Sequence, residues 1–201
     1  MISSASAAAA SASSSSFKAH YSKDWEKTGN PREAIAGWWL SLALKDYIGP
    51  EDLLLVGNGT LSPELNDFYD GTPDFAVPKL RLIFEVTGSN KTMEYSMARC
   101  MEHEGTIDPY LFIREGKVFA ASLAGIVSRL VFVSINDMED IVFLPCSKII
   151  NNGRKAPYRT VPWYEHVPGM ECQPYYMIPW KDWWKPKQLT EFVRKRMEAS
   201  Q

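Results

Sequence analysis

The residue pattern predicts a mixed α/β domain, one sheet with helices on both faces, and three observations carry that expectation. A helical stretch over residues 31–44 opens the folded part of the chain. Two apolar runs, residues 74–77 and 80–87, meet through Pro78-Lys79 as a hairpin. A second helical stretch, about residues 91–104, separates that hairpin from another apolar run at 109–113. A helix lying between strands that can pair in parallel is the crossover of a sheet covered on both sides.

The elements follow in order. Asn30-Pro31-Arg32-Glu33 is a helix start: Asn30 can cap, Pro31 suits the first helical position, and Glu33 stands where a capping box places its acid. Ile35, Trp38, Trp39 and Leu42 recur at helical spacing, with Ala36, Leu40 and Leu44 on the opposite side, so both flanks are expected to be buried. Gly49-Pro50 stops the helix. Residues 53–56 read as a short buried strand ended by Gly57-Asn58-Gly59. Ser89-Asn90 caps the second helix, and Gly105 ends it. Residues 117–121 read as a further strand, 123–130 as a helix, 141–144 as a strand, and 186–197 as a final amphipathic helix.

Composition bounds the function. The 201 residues are 45% hydrophobic and 23% charged, with 22 basic against 24 acidic side chains, proportions that exclude a chain disordered throughout. No stretch reaches the roughly 20 apolar residues of a membrane span. Cys100, Cys146 and Cys172 are odd in number and widely spaced, which fits a reducing, cytoplasmic setting better than a disulfide framework. Residues 1–16 hold eight Ser and six Ala, which bury too little to order a chain, and read as a flexible tail. Residues 17–146 then form the α/β core and 147–201 a C-terminal extension packed on it. That extension carries ten basic and five acidic residues, interleaved with Trp163, Tyr164, Tyr175, Tyr176, Trp180, Trp183 and Trp184. The formal net charge of −2 hides this basic end.

The chemistry is concentrated in residues 72–88, Thr-Pro-Asp-Phe-Ala-Val-Pro-Lys-Leu-Arg-Leu-Ile-Phe-Glu-Val-Thr-Gly. Glu85 interrupts an otherwise apolar central strand, and a carboxylate there costs several kcal/mol unless its charge is compensated. With the turn centred between Lys79 and Leu80, cross-strand partners sum to 159, which sets Asp74 opposite Glu85. Two carboxylates so placed repel unless one is protonated or a cation lies between them. An all-oxygen pair of this kind suits Mg²⁺ or Mn²⁺, and Thr87 shares its face.

Pro73-Asp74, ten intervening residues and Glu85-Val86-Thr87 resemble the signature of the PD-(D/E)XK nuclease superfamily. The order helix, three strands, helix, strand is similar to its αβββαβ, restriction-endonuclease-like core. The resemblance covers about residues 30–113 and implies Mg²⁺-dependent hydrolysis of DNA phosphodiesters, with Asp74 and Glu85 as metal ligands. The superfamily often adds an acid from the first helix, here Glu33. Its usual lysine, which orients and polarises the attacking water, is replaced by Thr87, and Lys91 at the start of the second helix is the candidate for the displaced lysine. Lys79, in the turn, is the poorer candidate. Such enzymes often work as homodimers.

Each residue also has a plainer reading. Asp74 can be a turn residue after Pro, Glu33 a capping acid, Thr87 a good strand former, and Lys91 a solvated lysine. Cys100 and His103 lack a second pair at zinc-ligand spacing. Lys148, Arg154, Lys155 and Arg159 are the candidate nucleic-acid contacts, since basic groups neutralise phosphates and neighbouring rings can stack on bases. Two readings stand beside the nuclease: a non-catalytic DNA-binding or scaffold protein on the same fold, and a module that uses the Trp-rich segment to bind another protein. What separates catalysis from mere binding is whether a lysine reaches the Asp74/Glu85 face.

Overall fold

A computed structural model of the chain describes residues 30–56, 73–89, 101, 110–137, 140–151, 154–155, 158, 160–163 and 173–199. Helix α1 (Asn30–Leu44) leads into the edge strand β1 (Leu54–Leu55), then β2 (Phe75–Val77) and β3 (Leu82–Ser89). These three strands pair antiparallel in chain order. The hairpin register is Phe75 with Phe84, Ala76 with Ile83 and Val77 with Leu82, so partners sum to 159, as the placing of the turn requires. The turn itself is a single 3₁₀ turn, Pro78–Leu80, closed by Arg81 in the left-handed region at φ 53°.

The chain then crosses over. Strand β4 (Tyr110–Arg114) runs directly into helix α2 (Glu115–Leu123), and β5 (Leu130–Asn136) returns beside β3 in parallel. Strand β6 (Asp140–Pro145) adds antiparallel to β5, completing a five-stranded mixed sheet ordered β1-β2-β3-β5-β6. The register of β3 against β5 allows Gly88 alone at its position. Gly88 has φ 148°, and a Cβ there would lie 1.9 Å from the carbonyl oxygen of Ile135.

Beyond β6 lie the short antiparallel pair β7 (Ile150–Asn151) and β8 (Arg154–Lys155). Strands β9 (Thr160–Trp163) and β10 (Gln173–Pro179) pair with each other, and β10 also pairs with β4, giving a second, three-stranded sheet. Helix α3 (Pro186–Glu198) closes the fold. Just before it, Trp184 exchanges two backbone hydrogen bonds with Phe143, of 2.9 and 2.7 Å, which cover the outer edge of β6.

The sheet separates two cores. On one face Phe75, Val77, Leu82, Phe84, Val131, Val133, Ile135 and Phe143 pack against Ala36, Leu40 and Leu44 of α1 and Leu189 and Val193 of α3. On the other, Leu130, Phe132, Val142 and Leu144 pack against Val118 and Ala121 of α2 and against Leu111, Ile113, Tyr176 and Ile178 of the second sheet.

Several expectations are corrected here. The apolar run that begins there does supply a strand, Tyr110–Arg114, but it belongs to the second sheet; the parallel neighbour of β3 is β5, whose seven residues are all buried, as in a strand covered on both faces. Residues 117–121 are helical rather than extended, and the stretch 124–129 is a set of turns rather than a helix. Strand β1 is exposed, with Leu54 and Leu55 at 45% and 63%, because it is the edge of the sheet. Helix α1 buries one side only: Trp38 and Leu42 face outward. The expected helix at 91–104 lies outside the described residues apart from Met101, which is helical.

Candidate active site

The central pair is built by the hairpin. Continuing its register one position past Phe75 and Phe84 sets Asp74 opposite Glu85. The backbone carbonyl of Asp74 accepts from Val56 N–H at 2.8 Å, and its carboxylate Oδ2 accepts from Val86 N–H at 2.5 Å. The side chain therefore caps the β2–β3 ladder where backbone pairing stops, which fixes its direction. Burial pushes the Asp74 carboxyl above the usual carboxylate range, and the Lys117 charge and the Val86 N–H draw it only part of the way back.

Glu85 is buried, with Phe132 beside it on β5. Its compensation comes from α2: Lys117 Nζ donates to Glu85 Oε1 as a close ion pair, the lysine side chain itself only 19% exposed. Lys117 stands in the first turn of its helix, where a cation opposes the helix dipole and needs a local partner. Glu115 at the same helix start accepts from the Tyr176 hydroxyl at 3.2 Å, and Arg114 Nε donates to the Tyr175 hydroxyl at 2.9 Å. These bonds tie the start of α2 to β10, so the second sheet holds Lys117 over the first.

The same face stays polar toward the ends of β3 and β5. Thr87 pairs with the buried Ser134, and Asn136, 2% exposed, donates to Ser134 Oγ at 3.4 Å while its own Oδ1 has no partner among the described residues. Asp74, Glu85, Thr87, Ser134 and Asn136 thus form a polar band near the carboxyl ends of the parallel strands, where open α/β sheets commonly take ligands.

The sequence-derived candidates divide. Asp74, Glu85 and Thr87 share this face by register. Glu33 lies on α1, and among the described residues no group of three or more His, Cys, Asp or Glu side chains is placed to hold a metal ion. The two-carboxylate pair nevertheless suits Mg²⁺ chemically, because that ion commonly takes one or two carboxylates and completes its shell with water and phosphate. Lys91 and Arg159 lie outside the described residues. Arg154 and Lys155 form β8, and Lys148 is already engaged: it donates to the Asp182 carbonyl at 3.1 Å and sits 5.1 Å over the Trp184 ring. Cys146 is buried, and burial pushes its thiol up to about 12, which makes it inert.

Lys117 is the residue that the sequence reading missed. The signal was present in Glu115-Gly116-Lys117, a first-turn acid with a lysine two positions on, but it is informative only if the helix is recognised. No helix of the described residues is long and apolar enough to cross a membrane. No family model matches the chain, and no curated protein matches it. Among solved structures the chain is similar to D212, a nuclease from a fusselovirus, with a TM-score of 0.51 and 19% identity over 87% of this chain and 96% of the viral one. At that identity the likeness establishes a shared α/β fold.

Proposed function

We propose that this protein is a Mg²⁺- or Mn²⁺-dependent DNA endonuclease of the restriction-endonuclease-like type, with Asp74 and Glu85 as metal ligands and Lys117 in the role of the lysine that Thr87 replaces. The observation that carries this reading is the Lys117 ammonium on the Glu85 carboxylate, beside a desolvated Asp74, on a fold shared with a nuclease. The hard oxygen donors of the two carboxylates would hold the ion. When bound, it lowers the pKa of water and offsets charge on the phosphoryl oxygens.

The chain's own groups do the rest. Asp74 is pinned by the Val86 N–H and cannot swing away from Glu85. Lys117 is long enough to leave Glu85 for a water or a phosphoryl oxygen while keeping its stem over the sheet, and its charge favours the anion that develops there. Thr87 contributes a hydroxyl to the same face but no charge. The buried flank of Phe132 and Val118 keeps bulk water from one side of the pair.

Cleavage of supercoiled plasmid and branched DNA with Mg²⁺ or Mn²⁺ tests this. Glu85→Ala and Lys117→Met are each expected to lower the rate by about 100-fold or more, with Lys91→Met near wild type. Full activity in Lys117→Met together with its loss in Lys91→Met would return the displaced-lysine role to Lys91. Salt-sensitive DNA binding without cleavage of any substrate would favour the non-catalytic reading.

A further inference from the structure

The edge of β6 that Trp184 covers carries a strip of aromatic rings and lysines. A 3₁₀ turn, Trp180–Asp182, follows Pro179, and Trp183 then anchors the segment by burying its ring in the core that α2 covers. Trp180 packs on that same core and Trp184 on the core beneath α1 and α3, so the segment wraps the edge of the sheet. Both half-buried rings hold an ammonium group. Lys185 Nζ lies 4.2 Å from the Trp180 ring centroid. Lys148 Nζ lies 5.1 Å from that of Trp184 while donating to the Asp182 carbonyl. Lys181, next to Trp180, is exposed as well.

The groups that hold Lys148 and Lys185 are rings and a carbonyl, which carry no net charge. None of the three lysines forms an ion pair with a described carboxylate. Asp182, the acid of the same turn, accepts from the Tyr158 hydroxyl; burial and the Asp182 charge push that phenol up to about 12. Burial lowers the pKa of the Lys148 ammonium, and the Asp182 charge draws it only part of the way back. Three cations thus surround one carboxylate, and the surplus is positive charge facing solvent. A lysine resting on a ring has also surrendered part of its freedom in advance, so it loses less on meeting a phosphate oxygen. The ring faces so covered are closed to bases, and the strip offers ordered charge rather than a stacking platform.

Resting on the nuclease reading above, we infer that Lys148, Lys181 and Lys185 form a contact strip for the phosphodiester backbone of duplex DNA. Its place fits that role. Trp184 pairs with Phe143, Phe143 with Val133, and Val133 with Val86, the neighbour of Glu85. Three strand spacings, about 14 Å, therefore separate the strip from the level of the carboxylate pair. One turn of a duplex, about 34 Å, spans that distance. Such contacts hold the duplex in register without reading its sequence.

The test is the salt dependence of oligonucleotide binding, followed by fluorescence anisotropy in EDTA so that no cleavage intervenes. Wild type is compared with the triple Lys148→Gln/Lys181→Gln/Lys185→Gln variant, the double Lys181→Gln/Lys185→Gln variant and a control, Lys45→Gln, exposed just past α1. Each lost phosphate contact lowers the log–log salt slope on duplex by about 0.9, so the triple variant is expected to lose about 2 to 3 units. Its affinity near 50 mM salt should fall roughly tenfold or more. The double variant keeps the Lys148 bond to Asp182, and is expected to lose about 2 units with its melting temperature unchanged. Lys45→Gln is expected to keep the wild-type slope. An unaltered slope in the triple variant, or an equal loss per charge in Lys45→Gln, overturns the strip. Binding tighter to single strands than to duplex, and weakened by Trp180→Leu, overturns it too, because that is the mark of stacking. These outcomes leave the nuclease reading intact, since plasmid cleavage tests that separately. Wild type that neither binds duplex nor cuts plasmid overturns both.

Discussion

The two faces of the central sheet are made from the same three strands and behave differently. Toward α1 and α3 the alternate residues Leu82 and Phe84, Val131, Val133 and Ile135, and Ile141 and Phe143 are buried without a polar atom among them. Toward α2 and the second sheet the intervening residues begin the same way, with Leu130, Phe132, Val142 and Leu144, but then turn polar at Glu85, Thr87, Ser134 and Asn136. The first face is packed for stability alone. The second accepts a buried ion pair, a desolvated Asp74 and an Asn136 oxygen with no partner among the described residues. Polar groups buried at such cost concentrate where a site does chemistry, and their restriction to one end of one face is what separates the two halves of the molecule.

The sharpest way to break the comparison is to damage the apolar face. Phe84 is fully buried, and Phe84→Ala is expected to lower stability by about 3–5 kcal/mol in urea unfolding. A loss below about 1 kcal/mol would mean that this face is not the packed half described.

On the polar face the expected effect is smaller and depends on which partner remains. Lys117→Met leaves the Glu85 carboxylate buried and uncompensated, and is expected to cost up to about 3 kcal/mol. Adding Glu85→Leu to it should recover most of that stability without restoring activity, because replacing a buried pair by apolar residues is often neutral. A double variant no more stable than the single would show that the pair does not act as a unit.

The smallest effect has a sign that changes the usual expectation. Burial raises the Asp74 carboxyl in the folded state, so the folded protein binds its proton more tightly than the unfolded chain does. The contribution of a raised group is present below its unfolded pKa and is lost as pH rises through the folded value, which makes ionised Asp74 a cost at neutral pH. Asp74→Asn is therefore expected to raise the melting temperature at pH 7, and the gain should shrink on acidification through the carboxylate range. A gain that is the same at pH 7 and pH 4 would mean that charge is not its source.

Much of the candidate site is legible in the chain itself. The place of Glu85 in an apolar strand and the turn at Pro78-Lys79 are local facts, and a hairpin's register follows from its turn, so the opposition of Asp74 and Glu85 needs no long-range information. The helices at the two ends, Asn30–Leu44 and Pro186–Glu198, are equally local, each marked by Pro in its first turn. What surrounds them was decided in three dimensions. The run 109–113 has the pattern of a strand, but nothing in five residues says which sheet it joins; β10, some 60 residues later, draws it away and leaves β5 as the neighbour of β3. Lys117 reaches Glu85, 32 residues earlier, only because that exchange turns the start of α2 over the central sheet. Pairing within a hairpin is fixed by short-range geometry, whereas parallel pairing and helix placement depend on which distant apolar faces bury each other, and that is a property of the whole chain.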